Sequence, residues 1–406
     1  MTTKHILLVG RAREILAKAR QFDLRFTQLF KLRSDMVSEN LEPYHRLVGL
    51  PAGAGADEWV AQARLIHSID PVDAIGAFTE TAEKIAARVA LALDLPYLPP
   101  EVIDNTHDKF RMREKLRAAG LDDTASRVLP SPDPAEIRGF ADEVGYPIVL
   151  KPVSARGSLA VSIVRAEPEI DTALRWYRQW AEDFPLLLEQ FLEGEEWSVE
   201  AFSEDGRHRI ASITRKYKDP DTCVEVGHCV PAVLDPQLEA RIHRLVEGTL
   251  DAVGIRMGPS HTEIITTASG PRVVETHARL GGDRIVELIK LVSGVDLHVL
   301  WVRQVMGESV IDEVPECDGS RFAAIRYVSP RAHGRIERVD GVDLARAREG
   351  VDRVEVLQPP GTEVGEVHDS FSRGASVVAT GDSVEQAMSR ATEAAREIRF
   401  VVSCAG

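Results

Sequence analysis

The chain has 406 residues, of which 44% are hydrophobic and 28% charged, and a formal net charge of −15. This ordinary globular composition excludes a fibre, a disordered chain and a disulfide scaffold, and the length predicts about two or three domains. The acidic balance argues against the basic face that a nucleic-acid partner requires.

The first apolar run, Ile6–Val9, is too short for a secretion signal, and no stretch approaches the ~18 apolar residues of a membrane helix. A cytoplasmic protein without membrane association is expected. Ile6–Val9 closed by Gly10, then Ala12–Arg20, reads as a buried parallel strand feeding a helix. Ala74–Phe78 is a second strand, and in Thr81–Leu93 the residues Ile85, Val89, Ala92 and Leu93 recur at helical spacing. Residues 1–100 therefore predict an open α/β domain, and Pro96, Pro99 and Pro100 mark its linker.

A helix from Asp108 is stopped by Gly120, and another, Ala135–Val144, by Gly145. The strand Tyr146–Lys151 leads through Ser154–Ser158 into the strand Ala160–Val164. The helix Glu169–Glu182 and strands at Pro185–Gln190, Trp197–Phe202, Gly258–Thr266 and Arg272–Thr276 follow, before a basic glycine turn, His277–Asp283. Farther on, Phe322–Val328 and Val377–Thr380 read as strands, and Ser383–Arg396 as an amphipathic helix. The cysteines Cys223, Cys229, Cys317 and Cys404 have no C-x-x-C spacing, which points to reduced thiols instead of zinc or disulfides.

Four segments, in this order, resemble the ATP-grasp superfamily over residues 100–300. They are Asp108-Lys109; Tyr146–Pro152 with Ser154–Ser158; Leu186–Glu200; and Arg272–Gly282. The resemblance implies an α/β ATP-grasp fold. It would comprise an N-terminal open α/β domain (1–100), a two-lobed grasp (101–310, lid lobe about 130–200) and a small α+β cap (311–406). It assigns ATP binding to Lys109, Lys151, Ser154, Gly157, Ser158, Glu189, Gln190, Phe191, Leu192 and Glu196. Physically, lysine ammoniums and loop amides suit a triphosphate. Glu189 is expected to reach the adenine amine and Glu196 the ribose, with Glu195 as the competing residue. Glu263 and Glu275 match the metal carboxylates, for Mg²⁺, two ions expected, with Mn²⁺ as an alternative. Where the family continues Glu-x-Asn, this chain has Glu275-Thr-His277, so His277 is a candidate to bind metal, orient a carboxylate or contact phosphate, and the second metal's geometry stays open. Arg279 and Lys151 are the expected catalytic residues, Arg279 stabilising the acyl phosphate.

Glu225-Val-Gly-His228, followed by Pro231, and Ser260–Ile264 resemble segments of bacterial L-amino acid ligases, which join free amino acids into dipeptides. By that resemblance Glu225, His228, Arg279, Gly281 and Gly282 bind substrate, Glu225 meeting its ammonium. The implied reaction joins a carboxylate to an amine through an acyl phosphate, releasing ADP and phosphate. The expected partners are these small molecules, and a homodimer is the candidate assembly. The cap, with Phe371–Asp382 typical of it, is expected to serve packing or oligomerisation and not chemistry. Two alternatives stay open: a carboxylase or purine-pathway member with a different acceptor, and a non-catalytic nucleotide-binding protein.

Overall fold

A computed structural model describes the chain apart from residues 1–2, 11–12, 33–43, 155–156, 158, 182–184, 221, 318, 331, 368 and 404–406. Ser158 and Cys404 thus lie outside the described residues. Four parallel strands form the N-terminal sheet, in the order Arg46–Leu50, Leu24–Lys31, Lys4–Val9, Ala74–Gly76. Lys4–Val9 sits inside it because its leucines, isoleucine and valine are buried on both faces, as a parallel strand requires. Helices Ala56–Ile69 and Glu80–Leu93 cover one face, packing Trp59, Ala63 and Val89 onto Leu7 and Val9.

The lid lobe is an antiparallel sheet ordered Ser126–Leu129, Leu186–Gln190, Ile148–Pro152, Ser162–Val164. Its helices Pro134–Val144 and Ile170–Ala181 bury Phe140, Leu174 and Tyr177 against Ile148, Leu150 and Leu188. The predicted strand Ala160–Val164 starts two residues late, since Ala160 takes a left-handed φ of 55°.

The central sheet has eight antiparallel strands. Five come from the grasp: Gly270–His277, Gly258–Thr267, Glu195–Glu204, Arg207–Lys218 and Glu225–Val230. The same sheet continues with Phe322–Val328, Ala375–Gly381 and Val351–Val356 from the C-terminal region, which also carries a small sheet of Glu363–Val364, Gly334–Asp340 and Arg399–Ser403. The helix Pro236–Val253 packs beneath the grasp strands against Trp197, Val199, Ile264 and Val273. Helices Ile285–Ser293 and Leu297–Val305 bury a second core with Phe202, Val230, Ile325 and Val378. No described helix is long and apolar enough to cross a membrane.

Lobe and grasp are joined by a buried arginine that the sequence reading passed over. Arg113, on the helix Lys109–Ala118, is 1% exposed; it pairs with Asp122, donates to Glu189 of the lid at 2.8 Å, and donates to the Val273 carbonyl at 2.5 Å. Removing one member of such a buried set leaves uncompensated charge, at a cost of about 3–5 kcal/mol. Arg113→Met should therefore lower the unfolding free energy by about that amount in urea titration. Burial alone would raise the Glu189 carboxyl, but Arg113 and Lys151 bring it to about 2. A folded value below the unfolded one adds stability above the unfolded pKa of about 4.3 and loses it as pH falls toward 2. This acid-side loss should be smaller in Arg113→Met than in the wild type.

Candidate active site

Strand alternation does most of the positioning. Side chains of a strand point to opposite faces in turn, so Glu196, Ser198 and Glu200 face away from the core residues Trp197, Val199 and Ala201. The pairs Lys216 and Lys218, His261 and Glu263, and Glu275 and His277 stand two residues apart on neighbouring strands. Together they floor a cleft of about 900 Å³, bounded also by the lid, by Thr79 and Glu80 of the N-terminal domain, and by Ser370, Phe371 and Arg373. Ligand clefts run to about 300–1,000 Å³, so a nucleotide and further small substrates fit. Every described site residue predicted from the sequence lines this cleft except Ser154, which is exposed and off its wall.

Asp108 caps the helix that starts at Lys109, accepting from the amides of Phe110 and Arg111, and so fixes where Lys109 emerges. Lys109 Nζ lies 2.9 Å from Glu275 Oε2, and Lys151 Nζ 2.5 Å from Glu189 Oε2. Burial lowers the Lys151 ammonium below the ordinary lysine value in spite of Glu189. Glu189 itself requires a correction. Its Oε1 accepts from Arg113 and its Oε2 pairs with Lys151, so its carboxylate orients Lys151 instead of turning to an adenine amine. Phe191 and Leu192, with Val149 and Ile163, supply apolar lining to the cleft. Glu195 and Glu196 separate cleanly: Glu195 pairs with Arg215 at the surface, whereas Glu196 meets Lys216 at 2.9 Å and Lys218 at 2.7 Å inside the cleft.

Glu263 and Glu275 are register partners on adjacent strands. Burial alone would raise both carboxyls, but Lys216 holds Glu263 and Lys109 with His277 holds Glu275 well below the usual range. Two ionised carboxylates side by side suit a hard divalent cation. The predicted trio Glu263, Glu275 and His277 is not what converges, however. Among the described residues, the carboxylates within 4.8 Å of one another are Glu196, Glu225 and Glu263. The ammonium of Lys216 lies among them, at 2.9, 3.3 and 2.5 Å. His277 Nε2 is 3.0 Å from Glu275 Oε1, and its Nδ1 is 3.9 Å from Glu80. His277 is therefore placed as a partner of two carboxylates. Its ring stacks on His261, which is tied to Glu200 and raised to about 9 by Glu200 and Glu263 against the lowering effect of burial.

Elsewhere in the cleft, Arg279 Nε and Nη2 donate to Glu80 Oε2 at 3.0 and 2.7 Å. Glu80 sits in the first turn of its helix, where the dipole favours an anion. Glu225 accepts from the Ser370 hydroxyl at 2.9 Å, and His228 Nε2 lies 3.1 Å from Asp283. The Gly281 amide donates to Glu200 at 2.8 Å, so it already has an anion to serve, while Gly282 stands open.

The cleft thus gathers Lys109, Lys151, Glu263, Glu275 and Glu225 around one slot. Residues 144–287 match the ATP-grasp domain family, and residues 326–403 match the L-amino acid ligase C-terminal domain 2. The chain carries an ATP-grasp domain of the ATP-dependent ligase kind. A crystal structure of L-amino acid ligase from Bacillus licheniformis superposes with a TM-score of 0.84 at 24% identity, over 100% of both chains, which establishes a shared fold. In sequence, this ATP-grasp chain is 29% identical to an uncharacterized protein of Sinorhizobium fredii over 84% of its own length and 70% of that protein's. It is 24% identical to alanine–anticapsin ligase of Bacillus subtilis, over 60% of its own length and 56% of that enzyme's. The chain thus spans little more than half of the latter relative.

Sequence reasoning missed Arg113, Lys216, Lys218, Glu200, Glu80 and Arg373. Period-two spacing of charges within strand-like segments, Glu196-x-Ser198-x-Glu200 and Lys216-x-Lys218, is the signal that marks several of them. Glu80 and Arg373 carry none, since they reach the cleft only through domain packing. A Cβ on Gly281 would lie 2.6 Å from Glu200 Oε1. Gly281→Ala should therefore push Glu200 off His261, costing about 1–3 kcal/mol of stability by overpacking. Urea unfolding of the purified variant, with Gly282→Ala as the unstrained control, checks this.

Proposed function

We propose that this ATP-grasp chain activates the carboxylate of one amino acid as an acyl phosphate and transfers it to the amine of a second, forming a dipeptide. The observation that carries the reading is the convergence, in one cleft, of Lys109 and Lys151 with Glu263 and Glu275 beside Glu225 and Arg279. The C-terminal match to L-amino acid ligases and the likeness to alanine–anticapsin ligase support an amino-acid substrate.

In this reading Lys109 and Lys151 neutralise the triphosphate, and Phe191 and Leu192 hold the base. Glu263 and Glu275 would hold Mg²⁺, which supplies charge neutralisation along the phosphates when bound. The substrate carboxylate attacks the γ-phosphorus, giving acyl phosphate and ADP. The amine then attacks the acyl carbon, losing a proton, and inorganic phosphate leaves. Arg279 stabilises the charge on the acyl oxygen, and no enzyme nucleophile is required. An incoming ammonium shares Glu225 with Lys216, which keeps that carboxyl below its ordinary value even though burial would raise it. A cytoplasmic location and a homodimeric assembly complete the proposal.

The direct test is ADP release across a matrix of amino-acid pairs, with mass spectrometry of the products. The products should be ADP and inorganic phosphate. Stoichiometric AMP and pyrophosphate by ³¹P NMR would remove the mechanism, and release dependent on bicarbonate or formate would move the chain to another ATP-grasp activity. Glu225→Gln keeps the shape of the pocket but removes a charge-assisted contact of roughly 1.5–3 kcal/mol. The Michaelis constant for the amino acid should rise about ten- to a hundredfold while that for ATP holds. Equal amino-acid constants in the two proteins would take Glu225 out of the substrate site.

A further inference from the structure

Arg373 comes from the C-terminal region, yet it is only 6% exposed. Its Nη1 and Nη2 donate to the two oxygens of Asp283 at 2.7 and 2.6 Å, a forked arrangement that lysine cannot reproduce. Its Nε donates to the Ser370 carbonyl at 2.6 Å and its Nη1 also to the Glu225 carbonyl at 3.3 Å. The guanidinium lies 3.7 Å from the centroid of the Tyr327 ring, and the Tyr327 hydroxyl donates to the Asp283 carbonyl at 3.0 Å. One side chain therefore ties the C-terminal region to the strand of Glu225 and to the turn that follows Arg279.

That turn needs holding. Asp283 and Arg284 adopt left-handed φ values of 52° and 62° in succession, a conformation that costs non-glycine residues roughly 1–3 kcal/mol each. Arg284 is secured by Glu287 and Glu355, and Asp283 by Arg373. The bond from Asp283 then passes to His228. An ionised carboxylate can only accept, so the proton at the 3.1 Å contact belongs to His228 Nε2. His228 Nδ1 is buried and has no hydrogen-bond partner among the described residues.

We propose that Arg373 is a positioning residue for ligation. Through Asp283 it fixes His228 in the Nε2–H form and holds the Arg279–Asp283 turn, so the amino-acid half of the cleft is assembled by the C-terminal region. This rests on reading His228 as a substrate residue of the ligase proposed above. The region's contribution is then chemical as well as structural, because the fork, the tautomer and the turn depend on one guanidinium.

The test uses the full chain with ¹⁵N-labelled histidine, the His228 imidazole signals being assigned with His228→Asn. Wild type should show a protonated Nε2 and an unprotonated Nδ1. Arg373→Lys, which keeps the charge but not the fork, and Asp283→Asn, which keeps the shape, should each lose that single tautomer. Each should raise the amino-acid Michaelis constant about ten- to a hundredfold, the range by which loss of a hydrogen-bond partner weakens a metal-ligating histidine's site, with the ATP constant within about twofold of wild type. An unchanged tautomer, or equal losses for ATP and amino acid, in either folded variant would overturn the proposal. The tautomer is read without substrate. A wild type that releases no ADP with any amino acid would count against the ligase reading alone, and the NMR result would still judge the Arg373 relay.

Discussion

A charge withdrawn from water must meet an opposite charge or give up its own, and this cleft is built on that requirement. Its floor is the polar face of a sheet whose other face packs against apolar helices, so the alternation that buries Trp197 and Val199 also turns Glu196 and Glu200 to the cleft side. Glutamates on neighbouring strands would repel one another if left alone. Lys216 answers this for three of them at once, Lys109 answers for Glu275, and Lys151 for Glu189. The cleft is therefore densely charged yet internally neutralised, and a charged ligand enters by exchange of partners and not by filling an apolar hole.

Exchange of partners also bears on how the lid is held. Lys151 rides on the lid lobe, and its carboxylate partner Glu189 lies on a neighbouring lid strand, but Glu189 is shared with Arg113 of the grasp. In the proposed ligase reading, a triphosphate that draws Lys151 away would leave Glu189 to Arg113 alone, with that pair still intact. The lid would then present its cation to phosphate without breaking the buried link that anchors it. At the opposite end, Glu80 ties the N-terminal domain to Arg279, so the same logic extends across three parts of the chain.

The sequence made the lysines, the metal-type carboxylates and the strands bearing them legible, because their chemistry is local: a lysine ending an apolar strand, or a glutamate at a fixed place in a β-hairpin. The two-lobed grasp, the open N-terminal sheet and the C-terminal amphipathic helix were legible for the same reason. Roles set by pairing were not. Glu189 looks the same in the sequence whether it faces adenine or Arg113, and only the packing of the Lys109–Ala118 helix decides between them. For His277 the sequence leaves metal, carboxylate and phosphate roles open, and only Glu80 and Glu275 beside it favour the carboxylate one. Arg373 was invisible because its partners lie 90 and 148 positions away in the chain.

The C-terminal strand Phe322–Val328 pairs directly with Glu225–Val230, so the grasp sheet continues through it. Cutting the chain ahead of that strand would not release a self-contained module. It would strip the backbone partners from Glu225–Val230 and leave an open sheet edge beside the cleft, the kind of surface that recruits stray strands. Chimaeras that exchange specificity between related ligases would need to carry this seam intact, with the crossover set in a loop and the paired strands kept from one parent.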